Sequence, residues 1–273
     1  MVEKKLDLIT SWTDYKFDPR NLILIFLLSF VVAGQTYLNF NQGVDAILVS
    51  ILTTVTTELT LARIILKKWI IPKSAFITAL GVSLLINSYL LWPYVLTAFL
   101  SICIKYILRF KGGHLFNPNN IGVVIVIFTL PQFAVTTPKQ WSNGFEVMAI
   151  ILLLGFVVAY FAKRLDTVIA FLSTFTMIAL VRSFVFGAPL LAALGPLLGA
   201  SMQLFTFFMI TDPKTTPNTR KGRILFAIFI AVVDGILRIQ RIPNAPFYAL
   251  FISTILFMIP YRLYLSRRSV SNV

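Results

Sequence analysis

The chain has 273 residues, 58% hydrophobic and only 12% charged, with a net charge of +14 and a mean hydropathy of +0.87. A soluble domain carries about twice that share of charge, so a water-soluble globular enzyme is excluded. The single cysteine, Cys103, excludes an internal disulfide and a cysteine-based metal cluster. The excess of base could suit nucleic acid, but it is scattered in small groups between apolar runs.

Residues 1–20 carry charges of both signs and no small-residue cleavage site, unlike a signal peptide. Uncharged runs follow at 21–44, 74–104, 147–162, 183–211 and 242–261. Several reach the ~20 residues that cross a bilayer as a helix. Ten spans are expected, at about 21–39, 45–62, 74–90, 92–110, 118–134, 147–162, 166–181, 188–210, 222–237 and 245–263. Residues 74–104 must hold two of them, with Asn87, Ser88 and Pro93 as turn residues. The eighth span carries Gly195, Pro196 and Gly199, which predicts a kink or a break. Gly187, Ala188, Ala192, Ala193, Ala200 and Ser201 predict close helix approach there. Such a stretch suits either a cavity lining or ordinary tight packing.

Lys and Arg fall almost wholly in alternate loops, 20 against 4. That asymmetry predicts both termini in the cytoplasm of a cell with a multi-pass inner membrane. Ile107-Leu108-Arg109 recurs 129 residues later as Ile236-Leu237-Arg238, and each copy leads into a Pro/Asn turn. Ten spans then divide into two units of five, and an odd unit must invert its second copy. The expected layout is a cytoplasmic segment 1–20, a first unit 21–134, an extracytoplasmic loop 135–146, a second unit 147–264 and a cytoplasmic tail 265–273. Inversion puts the opposite charges of Lys105 and Asp234, which are repeat mates, near opposite faces, so they should not pair.

Two polar loops carry the chemistry. The first is Lys111-Gly-Gly-His-Leu-Phe-Asn-Pro-Asn-Asn120, where Asn117 can cap a helix that opens on Pro118. His114 is the only histidine and suits either a structural or a functional role. The second loop runs through Thr211-Asp212-Pro213 to Arg223. Its Lys214, Thr215, Thr216, Thr219 and Arg220 offer the charge and hydroxyls that an anion needs. A membrane-surface turn held inside by positive charge would look the same. Charge balance places both loops on the cytoplasmic face. Of the acids within spans, Glu58 could reach Arg63 and Asp234 could reach Arg238. Neither is expected to be buried well enough to carry ions. Hydrolase, Walker and zinc-protease signatures are missing, and one histidine excludes a bis-histidine haem.

Gly113-His-Leu-Phe-Asn-Pro-Asn-Asn-Ile-Gly122 resembles the "RHLFNP…G" loop of RnfD and NqrB proteins. Phe208-Met-Ile-Thr-Asp-Pro-Lys-Thr-Thr-Pro-Asn-Thr-Arg-Lys-Gly-Arg223 resembles their "FMATDPVT-P-T-RGR" segment. Val135-Thr-Thr-Pro-Lys-Gln-Trp-Ser-Asn143 is similar to a loop in shorter relatives encoded beside enediyne biosynthesis genes. The resemblance implies an all-α polytopic membrane protein of two inverted five-helix repeats, like urea transporters. It implies a flavin, FMN or riboflavin, and electron relay among other membrane or peripheral redox subunits. Carried over by position, His114, Phe116, Asn117, Pro118, Thr211, Asp212, Pro213, Thr215 and Arg220 would shape the flavin pocket, with Lys214 and Thr219 as further anion contacts. Phe116 would stack on the ring, and Arg220 or Lys214 would meet a phosphate. The S-G-A-T motif through which larger relatives attach FMN is missing, so the flavin is expected to be non-covalent. A small-solute pore without redox chemistry is the rival expectation, and a scaffolding anchor a third.

Overall fold

Backbone N–H and C=O groups inside a bilayer must be satisfied within the protein, and this sequence meets that demand with helices. A computed structural model describes residues 19–36, 43–110, 113–136 and 145–271. In the first half, α1 spans Pro19–Thr36, and α2 spans Val44–Leu61 before a π-helical turn at Ala62–Leu66. Then come α3 (Lys73–Leu85), α4 (Trp92–Ile107) and α5 (Pro118–Thr129). In the second half, α6 spans Phe145–Phe161 and α7 Leu165–Phe186. The next segment is broken: α8 is Leu190–Leu194 with a 3-10 turn at Gly195–Leu198, and α9 is Ala200–Leu204 with a π-helical turn at Phe205–Met209. Next, α10 spans Arg220–Ile239 and α11 Ala245–Ser253, with a π-helical turn at Thr254–Met258 leading into α12 (Ile259–Ser271).

The uncharged run 74–104 breaks where its polar residues stand. α3 stops at Leu85, and the short strand β1 (Ile86–Asn87) leads into a turn that Pro93 ends by opening α4. β1 pairs antiparallel with β4 (Val135–Thr136), and β2 (Arg109–Phe110) with β3 (Gly113–His114). These pairings make α3 and α5 shorter than the apolar runs suggested. The break expected at Gly195, Pro196 and Gly199 is present, with a bend of 58° between its two parts.

Val44–Leu66, Leu165–Phe186 and Ala245–Arg267 are each long and apolar enough to cross a membrane, and the bent pair makes a fourth if it counts as one span. Helices of 10–17 residues supply further apolar segments. The outward faces bear Leu48 and Leu52 on α2, Leu153 on α6 and Phe184 on α7, all exposed. Apolar surface of that extent suits lipid and not water. The chain is mostly helical, with several helices long and apolar enough to cross a membrane.

Four helix pairings recur in both halves, while α3 with α4 and α5, and α6 with α7, have no counterpart among the stronger contacts of the described residues. α1 packs on α3, α2 on α3 and α4, and α4 on α5. Likewise α6 packs on α9, α7 on α8 and α10, and α10 on α11. Between the halves, α1 meets α6 and α5 meets α11. The main core gathers Phe171, Phe175, Phe205, Phe226 and Phe247. A second cluster, with Phe26, Leu80, Leu84, Ile151 and Leu204, joins α1 and α3 to α6 and α9. Of the small residues expected to allow close approach, Ala193 is buried in the main core, whereas Gly187 and Ala192 are exposed. Close approach occurs instead at Gly235 of α10, where an added Cβ would collide with the Ile178 side chain of α7.

Candidate functional site

The two Asx-Pro turns meet. Asn117 caps α5 as its sequence suggested: its Oδ1 accepts the Asn120 N–H at 3.2 Å, and Pro118 opens the helix. Its amide donates to Met209 O and to Asp212 Oδ2, both at 3.4 Å. His114 Nε2 lies 3.4 Å from the same Asp212 oxygen. The other carboxylate oxygen, Oδ1, accepts the Lys214 N–H at 2.9 Å. The Asp212 carbonyl accepts the N–H groups of Thr215 and Thr216, each at 3.2 Å, and the Thr216 hydroxyl at 2.8 Å. One aspartate therefore orders the 212–216 turn and ties it to a loop almost a hundred residues earlier. Burial pushes the Asp212 carboxyl up, but the bonds and charge of His114 and Lys214 outweigh it and hold it below the usual carboxylate range. Arg262 of α12 closes the arrangement by donating to the carbonyls of His114, at 3.1 Å, and of Lys214.

Beneath these turns lies a cavity of about 410 Å³, within the range of small-molecule sites. Its walls come from both halves: Leu27 of α1, Ile77 and Leu84 of α3, Val158 of α6, and Leu204 and Phe208 of α9. Of the residues expected at a site, His114, Asn117, Pro118, Thr211, Asp212, Pro213 and Lys214 line it. The other four lie elsewhere. Phe116 stacks on Phe251 with centroids 5.6 Å apart, clamping its loop to α11. Thr215 is buried one layer back, in the Asp212 turn. Thr219 caps α10 by accepting the Gly222 N–H at 3.1 Å. Arg220, the first residue after that cap, is exposed.

Among the lining residues not expected at a site are Ser74, Lys105, Asn119 and Phe208. Asn119 Oδ1 is buried without a partner. Gly81 makes its place, since a Cβ there would overlap the Asn119 side chain. Lys105 was counted among loop charges but stands inside α4, its Nζ 2.6 Å from Glu58 Oε1 and 2.7 Å from Ser74 Oγ. Glu58 also accepts the Ser74 hydroxyl at 2.9 Å.

That pairing corrects the expectation for Glu58, which does not reach toward Arg63. Five residues on a helix turn through about 140°, so the two side chains point apart. Arg63 lies over the Trp69 ring at 5.6 Å instead. The acids are also better buried than expected: Glu58 is 2% exposed and Asp234 fully buried. Asp234 does take Arg238, at 2.7 Å, as the four-residue spacing predicted. Lys105 and Asp234 do not pair, again as expected.

Residues 139–261 match the NQR2, RnfD, RnfE family. The Asp212 turn lies within that stretch, and the His114–Asn117 loop precedes it. No curated protein matches the chain.

Proposed function

We propose that this chain, of NQR2, RnfD, RnfE type over residues 139–261, is a flavin-binding subunit that relays electrons in a multi-subunit complex of the inner membrane. The observation that carries the proposal is the cavity, because residues from both motif loops converge on it. The residues suit a flavin. Leu27, Ile77, Leu84 and Leu204 offer an apolar slot, and Phe208 an aromatic face for a flat ring. The unpartnered Asn119 Oδ1 offers an acceptor for the polar edge of the ring. Lys214 contributes positive charge at the wall, whereas the charge of Lys105 is taken up by Glu58. A bound flavin would supply the one- and two-electron chemistry. The chain's part is to position the ring, keep water from it and set the charge around it. No attachment motif is present, so the flavin is held non-covalently.

The repeated pairing scheme supports two five-helix units related by inversion in the membrane. So does the contact of proposed repeat mates, α1 with α6 and α5 with α11. The basic asymmetry supports cytoplasmic termini and a cytoplasmic site. Cysteine labelling from outside, in a background lacking Cys103, should modify position 42 and spare position 218; the reverse pattern would overturn the orientation. Protein purified with FMN and riboflavin supplied should show flavin absorbance in the visible range. Denaturation followed by gel filtration should release the colour. Flavin retained by the denatured chain would refute the non-covalent linkage. Protein without any flavin would refute the redox role and favour a solute pore.

A further inference from the structure

Arg164 is the buried charge near the cavity that the site does not explain. It stands in the turn between α6 and α7, two residues after Ala162, which lines the cavity. The turn is rigidly specified. The N–H groups of Ala162, Lys163 and Arg164 donate to the carbonyls of Val158, Tyr160 and Ala159 at 2.9, 2.9 and 2.8 Å. Lys163 takes the left-handed conformation that ends a helix this way, with φ 55°. Arg164 is 8% exposed, and its Nε is buried without a hydrogen-bond partner.

The acids within reach are already engaged. Asp166 accepts Arg223 Nε at 3.1 and 3.0 Å through its two oxygens, and also the Thr167 N–H at 2.9 Å. Arg223 spends a further donor on Asn218 O at 2.9 Å. Asp212 is held by Lys214, His114 and Asn117. Burial and the nearby Arg223 weaken the hold of Arg164 on its proton-bound, charged form more than Asp166 and Asp212 restore it. A buried guanidinium without a bonded acceptor is unfavourable, and its planar fork suits an oxyanion with several oxygens. We infer that Arg164 holds the phosphate group of a soluble ligand, in the α6–α7 turn two residues beyond the cavity-lining Ala162. If the body of that ligand is a flavin, which rests on the proposed function, Arg164 makes the protein choose FMN over riboflavin.

The test uses the purified full chain in neutral detergent, with Arg164→Gln and Arg164→Lys variants. Inorganic phosphate, against chloride at matched ionic strength, should raise the unfolding temperature of the parent protein and leave that of Arg164→Gln unchanged. FMN should bind roughly 10- to 100-fold more tightly than riboflavin, the worth of one charge-assisted contact. In Arg164→Gln that ratio should fall to near one, with riboflavin affinity intact. Should Arg164→Gln not fold, Arg164→Lys, which keeps the charge but loses the fork, should still narrow the ratio. Equal protection of parent and variant by phosphate would overturn the assignment. So would an Arg164-dependent shift seen only in nanodiscs of phosphatidylglycerol and not of phosphatidylcholine, which would make the anion a lipid headgroup. Phosphate protection through Arg164 with neither flavin bound would keep the anion site and refute the flavin reading. FMN and riboflavin bound equally, without phosphate protection, would do the opposite.

Discussion

Replacing Asp212 by alanine removes three interactions at once. The Lys214 N–H loses its acceptor at 2.9 Å, which amounts to losing a turn cap worth about 0.5–2 kcal/mol. The Asn117 amide and the His114 ring lose a shared acceptor at 3.4 Å. These are long bonds, so about 1 kcal/mol for the pair is the larger part of what they give. The total is about 1.5–3 kcal/mol, or an unfolding temperature lower by about 3–12 °C for a chain of this size. Asp212→Asn keeps an oxygen for the Lys214 N–H and should lose about 1 kcal/mol. The assay is thermal unfolding of the purified protein in one detergent at fixed pH. If asparagine proves as damaging as alanine, the charge itself is what the site needs, and the turn-ordering role of Asp212 is wrong. The pH dependence gives an independent check. The folded carboxyl titrates below its unfolded value, so its contribution is complete above about pH 4 and is lost as pH falls from there through the folded value. Asp212→Asn should remove that part of the acid sensitivity.

Glu58→Gln and Lys105→Met should each destabilise by about 3–5 kcal/mol by leaving a buried charge unpaired, whereas the double variant should recover most of it; additive losses in unfolding temperature would refute the coupling. Thr219→Ala should cost about 0.5–2 kcal/mol by uncapping α10, and Thr219→Ser almost nothing. Gly235→Ala drives a methyl into Ile178 and should cost about 1–3 kcal/mol. Combining it with Ile178→Ala should relieve part of that loss, and a double variant no better than Gly235→Ala would refute the contact.

What the sequence discloses here is what depends on near neighbours. Uncharged runs mark the apolar helices, because membrane depth tolerates few charges. Gly195, Pro196 and Gly199 mark the break between α8 and α9, since each acts on its own backbone. Asn117 before Pro118 marks a helix start, because a cap reaches only three residues ahead. The partner of Glu58 was hidden for the opposite reason: Lys105 is 47 residues away, and nothing local distinguishes it from a loop lysine. Phe116 and Arg220 were placed at the site because they match positions of the two motifs. Adjacent residues on a turn or at a helix start face different ways, and these two face Phe251 and solvent. The unpartnered Arg164 had no signal at all, because a missing acceptor is visible only in three dimensions.

The order in which the ribosome delivers these residues gives the pairing another consequence. Glu58, Ser74 and Lys105 all belong to the first half, and Asp166 with Arg223 and Asp234 with Arg238 to the second. Each half can therefore neutralise these costly charges within itself as it enters the membrane. The site behaves differently, because His114 must wait for Asp212, 98 residues further on. At roughly 5–20 residues per second that wait lasts about 5–20 s. During it the first half already stands with its internal charges paired and its cavity wall open. Completion of the cavity is thus one of the last events of biogenesis, and anything that binds there would bind only a chain whose two halves have both arrived.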